Sequence, residues 1–220
     1  MLKMDPYRFG YMKKTLILYL VLVTSASVYA QKMMEKSWDA TPLHTVQVES
    51  DAVFQLKVRT SLTKTIQLRT SVTGEHYENV VVRSTIVDGV LQITTGFRPF
   101  FKKNDDKLAA HKVISIVMEL MVPEHKSIGV HSALTSVEGT GTYKNFNVNL
   151  SNGTCHLVSF SGNAHLKTRR GIIVVSAHEG TVGQGNSTYG NVQNDLRYGD
   201  GNHKVVAESI YGDIILKQTQ

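Results

Sequence analysis

The residues able to do chemistry are thinly spread in this chain of 220 residues. Its single cysteine, Cys155, is followed by His156, but a structural zinc site needs a second thiol that the sequence does not hold. Nine histidines are present, and none forms the His-Glu-x-x-His pair of a metal-binding helix. His156 and His178 are the two that neighbouring strands could bring together. No Gly-x-Ser-x-Gly turn occurs, and Cys155 lies in an apolar column, so neither hydroxyl nor thiol is set up as a nucleophile. Glycoside cleavage needs carboxylates that converge. The acids of the C-terminal half are Glu138, Glu179, Asp195, Asp200, Glu208 and Asp213, and only Asp213 directly follows a repeat glycine; its counterparts are Ser136, Thr154, Ile172 and Asn191. Gly183-Gln-Gly-Asn and Gly199-Asp-Gly-Asn echo calcium-binding β-roll repeats without the nine-residue recurrence, so they read as turns. No catalytic residue, metal or cofactor is expected. A polysaccharide-active β-helix enzyme is a distant alternative.

One loop stands out as a partner site. Between two strands, Phe97, Arg98, Phe100, Phe101, Lys102 and Lys103 combine aromatic rings with cations. Such a set can anchor a protein, a glycan or a membrane interface, or fold back as a lid over an open end of the core.

The N-terminus carries Met12-Lys-Lys, an apolar run from Leu16 to Val23, and Val28-Tyr29-Ala30. This is the pattern of a secretory signal peptide over residues 1–30, with translation starting at Met1 or at Met12 and cleavage before Gln31. The apolar run is too short to span a bilayer, so no transmembrane anchor is expected after cleavage. Without Lys3, Arg8, Lys13, Lys14 and Asp5 the chain carries 20 basic and 17 acidic residues, a net charge of +3. That balance, with no block of like charge, argues against a nucleic-acid partner. A lone cysteine permits no internal disulfide, so packing alone must stabilise an exported chain.

Residues 31–122 read as the N-terminal β-strand region; from Thr45 to Val122 apolar residues alternate with polar ones, as in Phe54, Leu56 and Val58 or Ile116, Met118 and Leu120, which predicts β-strands. Asp88-Gly89 predicts a hairpin turn, and Pro123 a strand end. From 123 to 220 the chain repeats. Aligning Thr135, Gly153, Gly171, Gly190 and Gly212 gives spacings of 18, 18, 19 and 22, and places Ile128, Phe146, Ala164, Gly183 and Val205 in one column and Val137, Cys155, Ile173, Val192 and Ile214 in another. One coil cannot bury its apolar face alone, whereas stacked coils can. The prediction is an all-β chain whose strand-rich N-terminal half continues, within one domain, into a short β-solenoid of about five coils. The fourth coil, with Gly183, Gly185 and Asn194 at inward positions, is expected to be distorted or looped out. Asn147, Asn149, Lys167, His156 and Gln193 face outward.

With these features on view, the chain resembles the auto-transporter adhesin head family, also described as GIN-domain or adhesin-like exported bacterial proteins. The resemblance rests on Val46-Gln-Val-Glu-Ser-Asp-Ala-Val-Phe-Gln-Leu-Lys-Val, on Asp88-Gly-Val-Leu-Gln-Ile, and on the rungs Thr168-Arg-Arg-Gly-Ile-Ile and Ser209-Ile-Tyr-Gly-Asp-Ile. It implies a β-solenoid outside the inner membrane (periplasmic, surface-bound or secreted) and brings no catalytic residues. The expected function is a non-catalytic binding module of the cell envelope with a glycan or an envelope protein as partner. The alternative is a structural envelope protein that self-associates end to end through an uncapped final coil; the chain is expected as a monomer or in that end-to-end form.

Overall fold

In the computed structural model residues 31–74, 77–99, 114–196 and 201–219 are described; the signal-peptide segment and Phe100, Phe101, Lys102, Lys103 and Asp200 lie outside them. The described chain is all-β. Its strands are β1 (Gln31–Asp39), β2 (Thr45–Glu49), β3 (Val53–Ser61), β4 (Thr65–Thr73), β5 (Val80–Val87), β6 (Val90–Phe97), β7 (Ser115–Pro123), β8 (Ser127–Ser132), β9 (Ser136–Asn152), β10 (Cys155–Arg170), β11 (Ile173–Ala177), β12 (Thr181–Ser187), β13 (Val192–Asn194), β14 (His203–Ser209) and β15 (Ile214–Gln218). One 3-10 turn, Tyr77–Asn79, precedes β5.

All fifteen strands belong to one sheet. Its long strands β9 and β10 run without interruption from one side of the core to the other, so the sheet curls upon itself. One side is ordered β1-β4-β7-β3-β9-β10-β11-β15-β13; on the other, β5, β6, β2, β8, β9, β10, β14 and β12 are successive neighbours. The two sides pack their inward residues against each other. Val46, Ile128, Phe146, Ala164 and Val205 are paired in successive parallel ladders and all are buried. Leu56, Val137, Cys155, Ile173 and Ile214 do the same opposite them. Each large side chain so buried contributes about 1.5–3 kcal/mol, and with Cys155 the only cysteine, this packing carries the stability. The inward columns thus pair as the repeat spacing requires.

Their spatial order differs from chain order. β14 lies between β10 and β12, and β15 between β11 and β13, so the last strands are interior and the preceding β12–β13 segment forms the end of the sheet. An uncapped final coil is therefore corrected to an interior one, and the strands form one curled sheet. The poor inward residues of β12 suit that end. A Cβ on Gly183 would meet Leu196 at 2.9 Å and Asn194 at 2.8 Å, and one on Gly185 would meet Val192 at 2.8 Å. The small residues let the two sides converge, Leu196 closes the core, and the Asn194 amide donates to the Gly183 carbonyl at 2.8 Å.

At the opposite end β1 covers the core with Met34 and Trp38, joined by Tyr77, Phe97 and Ile114. Lys32 and Lys36 donate to the carbonyls of Val80 and Val82, at 2.8 and 2.9 Å, along the second edge of β5. An edge strand whose carbonyls hold lysines is a poor template for another strand.

The corner that turns each inward column around is built from the aligned glycines. A Cβ on Gly153 would collide with the Thr135 carbonyl, one on Gly171 with that of Gly153, one on Gly212 with that of Gly171, and one on Gly190 with that of Gly212. Close backbone stacking, repeated rung after rung, excludes a side chain. The serine three residues earlier completes the turn: the Gly212 N–H donates to Ser209 Oγ at 2.8 Å and the Gly190 N–H to Ser187 Oγ at 3.0 Å. Gly212 is not in the left-handed region, whereas Gly180 is, with φ of 81° and no neighbour nearer than 3.4 Å to the place a methyl group would take. Gly212→Ala is therefore expected to cost about 2–4 kcal/mol from collision alone, and Gly180→Ala about 1 kcal/mol from backbone strain. Urea unfolding of the two variants measures the difference; equal losses would contradict the stacking.

Candidate functional site

Residues between the inward columns form two outward faces of different chemistry. On the first, the parallel registers lay Gln92, Gln47, Gly129, Asn147 and His165 side by side, and next to them Glu49, His131, Asn149 and Lys167. Strands about 4.8 Å apart give these side chains a fixed grid. The Gln47 amide lies across Gly129, in the space a Cβ there would take. The result is a groove of about 580 Å³ lined by Gln47, His131, Asn145, Asn147, Asn149 and Lys167 among others. Asn147 and Asn149 are exposed, and no hydrogen bond among the described residues occupies their amides. An amide offers donors and an acceptor together, which matches a ligand rich in hydroxyl groups. At the groove's side Lys167 bonds Glu208 at 3.0 Å, with His165 at 3.5 Å. The Lys167 hydrogen bond, more than that of His165, holds the Glu208 carboxyl below its ordinary value; such an exposed pair adds little stability.

The second face neutralises itself. Its cross-strand neighbours run Glu35, Arg69, Glu119, Lys57, Glu138 and His156, alternating in sign up to the histidine. Arg69 binds Glu35 at 2.8 Å, and Gln55 donates to Glu138 at 2.7 Å. Opposite charges across strands stabilise a sheet, so this row accounts for itself without a ligand. A smaller recess of about 340 Å³ lies over Lys57, Arg59, Arg69 and Met121.

The other candidates separate. His156 is paired with Val174, four residues before His178, so the two imidazoles stand roughly 13 Å apart along the strand and read as separate surface histidines. Glu138 is bound by Gln55, Asp195 by Gln193, Asp213 by the Asn191 N–H and Glu208 by Lys167, each in a different place. Among the described residues no three His, Cys, Asp or Glu side chains converge on a possible metal position. Of the aromatic loop, Phe97 packs half-buried against the core and the Arg98 N–H donates to the Asn79 carbonyl at 2.9 Å, leaving the Arg98 side chain exposed. Phe54 is exposed, with Val53 buried in its place, because an irregularity between Val53 and Gln55 shifts the register. The sequence pattern did not single out Gln47 and His131, whose place in the groove depends on which strands pair. Tyr189 and Tyr211, which open the repeated tripeptides Tyr189-Gly-Asn and Tyr211-Gly-Asp, are exposed and stacked with ring centres 5.0 Å apart, with Arg170 over Tyr211 at 5.6 Å.

No family model matches the chain, and no curated protein does. Among solved structures, a "putative cell adhesion protein" from Clostridium sporogenes is similar in fold, with a TM-score of 0.60 at 13% identity over 86% of this chain and 100% of the other. A "putative adhesin" from Bacteroides fragilis gives 0.38 at 12% identity over 86% and 97%, and one from Parabacteroides distasonis 0.30 at 16% over 86% and 97%. At these identities the first likeness is one of fold.

Cys155 is fully buried between Val137 and Ile173, and burial pushes its thiol up from 9.0 to about 12. The folded state therefore keeps a proton that the unfolded chain releases above pH 9, and stability falls as pH rises from 9 toward 12, by up to about 1.4 kcal/mol per pH unit. Cys155→Ala should flatten this alkaline slope in denaturant titrations. An unchanged slope, or rapid labelling of the native thiol, would contradict the assigned burial.

Proposed function

We propose that this chain is a non-catalytic, adhesin-like binding module of the bacterial cell envelope, and that its ligand is a glycan held in the groove over Asn147 and Asn149. The observation that carries this reading is the grid of unoccupied amides on one outward face, Asn147 and Asn149 among them, beside the His131 imidazole. Sugar hydroxyls both donate and accept, as do Asn147, Asn149 and Gln47. Many weak polar contacts spread over a long rigid surface suit a polymer better than a small metabolite, which needs a pocket enclosing most of its surface.

The same proposal takes the parallel ladders as coils of a short solenoid within one domain over residues 31–220, and residues 1–30 as the export signal that delivers it beyond the inner membrane. Two things support a binding role over catalysis: Glu138, Asp195, Glu208 and Asp213 are separately engaged, and the Clostridium sporogenes protein of similar fold is described as a cell adhesion protein. The loop from Phe97 to Lys103 belongs to the proposal as a lid whose first residue, Phe97, packs on the core.

A panel of envelope and host glycans, immobilised and probed with the purified protein, tests the assignment. The Asn147→Ala, Asn149→Ala double variant is expected to lose binding at least about tenfold, equivalent to ~1.4 kcal/mol, while Lys57→Ala on the other face retains it. Binding unaffected by the double variant, or release of shortened glycan, would overturn the reading.

A further inference from the structure

The two ends of the sheet are treated differently. At the β5 end, Lys32 and Lys36 occupy carbonyls of the outer edge. At the other end β12 pairs with β14 alone and β13 with β15 alone among the described residues. Alternate backbone N–H and C=O groups of Thr181–Ser187 and Val192–Asn194 thus face away from the sheet, and of these the Gly183 carbonyl is taken by Asn194. Neither strand contains a charge or a proline, the residues by which exposed edges are normally blunted. Apolar surface collects beside them: Tyr189 is 72% and Val192 42% exposed.

We infer that this end is an interface and that its occupant is a second copy of the chain. A two-fold contact sets each residue against a copy of the same surface; the residues of β12 and β13 bring no charge to it, and the adjoining Asp195 is already held by the Gln193 amide. The blocked β5 edge disfavours head-to-tail growth, which leaves a closed pair. The strand direction reverses between β12 and β13, since both lead through the single corner at Gly190. A two-fold axis along the strands then lays β12 antiparallel to β13 of the second copy and continues both sides of the curled sheet. It also keeps the Gly190 corner opposite itself. The stack Arg170, Tyr211, Tyr189 ends on Tyr189, and its free ring face meets the Tyr189 ring of the other copy. This inference does not depend on the glycan reading, because the groove and the edge share no residues.

Light scattering coupled to size exclusion, over about a hundredfold range of concentration, is expected to give a dimer that dissociates on dilution. Gln184→Lys and Asn186→Lys change exposed residues of β12 and leave the core alone; each should shift the dissociation constant at least about tenfold toward monomer. Lysine at Gln67, an exposed position on β4, should not. Tyr189→Cys, in a chain whose own cysteine is buried, should form an intermolecular disulfide under mild oxidation. A monomer throughout the range, a dimer indifferent to the edge lysines, or no Tyr189→Cys crosslink would overturn the proposal.

Discussion

Everything in this molecule depends on keeping one backbone rung directly above another at the corner where the sheet doubles back. The stacked Thr135, Gly153, Gly171, Gly212 and Gly190 leave no room for a methyl group between carbonyl and Cα, and that contact fixes the register of every parallel ladder beside it. A slip by one residue would turn Phe146, Ala164 and Val205 outward and Asn147 and His165 inward. Core and outward grid are two consequences of the same constraint. Ser187 and Ser209 hold the corner from inside the turn. Their hydroxyls satisfy N–H groups that a bare glycine turn would leave unpaired.

The ends of such a sheet pose a separate problem, since each exposes both core and backbone. The first end is closed with bulk, Met34, Trp38 and Phe97, and with lysines on the edge carbonyls. The other closes by thinning. Gly183 and Gly185 let the two sides meet, and Leu196 fills what remains.

The inward columns were legible because close stacking demands glycine at a fixed spacing and burial demands apolar residues at fixed offsets from it. The hairpin at Asp88-Gly89 was legible for a similar local reason: both residues adopt positive φ, at 47° and 72°. Spatial order was not. Residues 181–194 and 203–218 carry the same pattern, and nothing local says which lies nearer β10; the preference for larger residues in the interior put Val205 and Ala207 there and left the glycines at the end. Phe54 was misplaced because a register irregularity breaks the period of two. The polar groove was half visible: Asn147, Asn149 and Lys167 were expected outward, but their joining with Gln47 and His131 depends on β2 pairing with β8 some eighty residues along. The separation of His156 from His178 was not legible, because alternation gives the facing of a side chain and not its distance along the strand.

The proposed function rests on the difference between the two outward faces. One sets opposite charges across strands, with Arg69 on Glu35; the other leaves the amides of Asn147 and Asn149 unoccupied over a groove. The direct measurement is chemical-shift mapping of isotope-labelled protein titrated with a glycan that it retains. The side-chain amides of Gln47, Asn147 and Asn149 and the backbone of β2, β8 and the second half of β9 should move together, with Gln55, Gln67 and Gln193 unchanged. Shifts confined to the charged face, or to the corner at Tyr189, would contradict the assignment of the groove as the binding site.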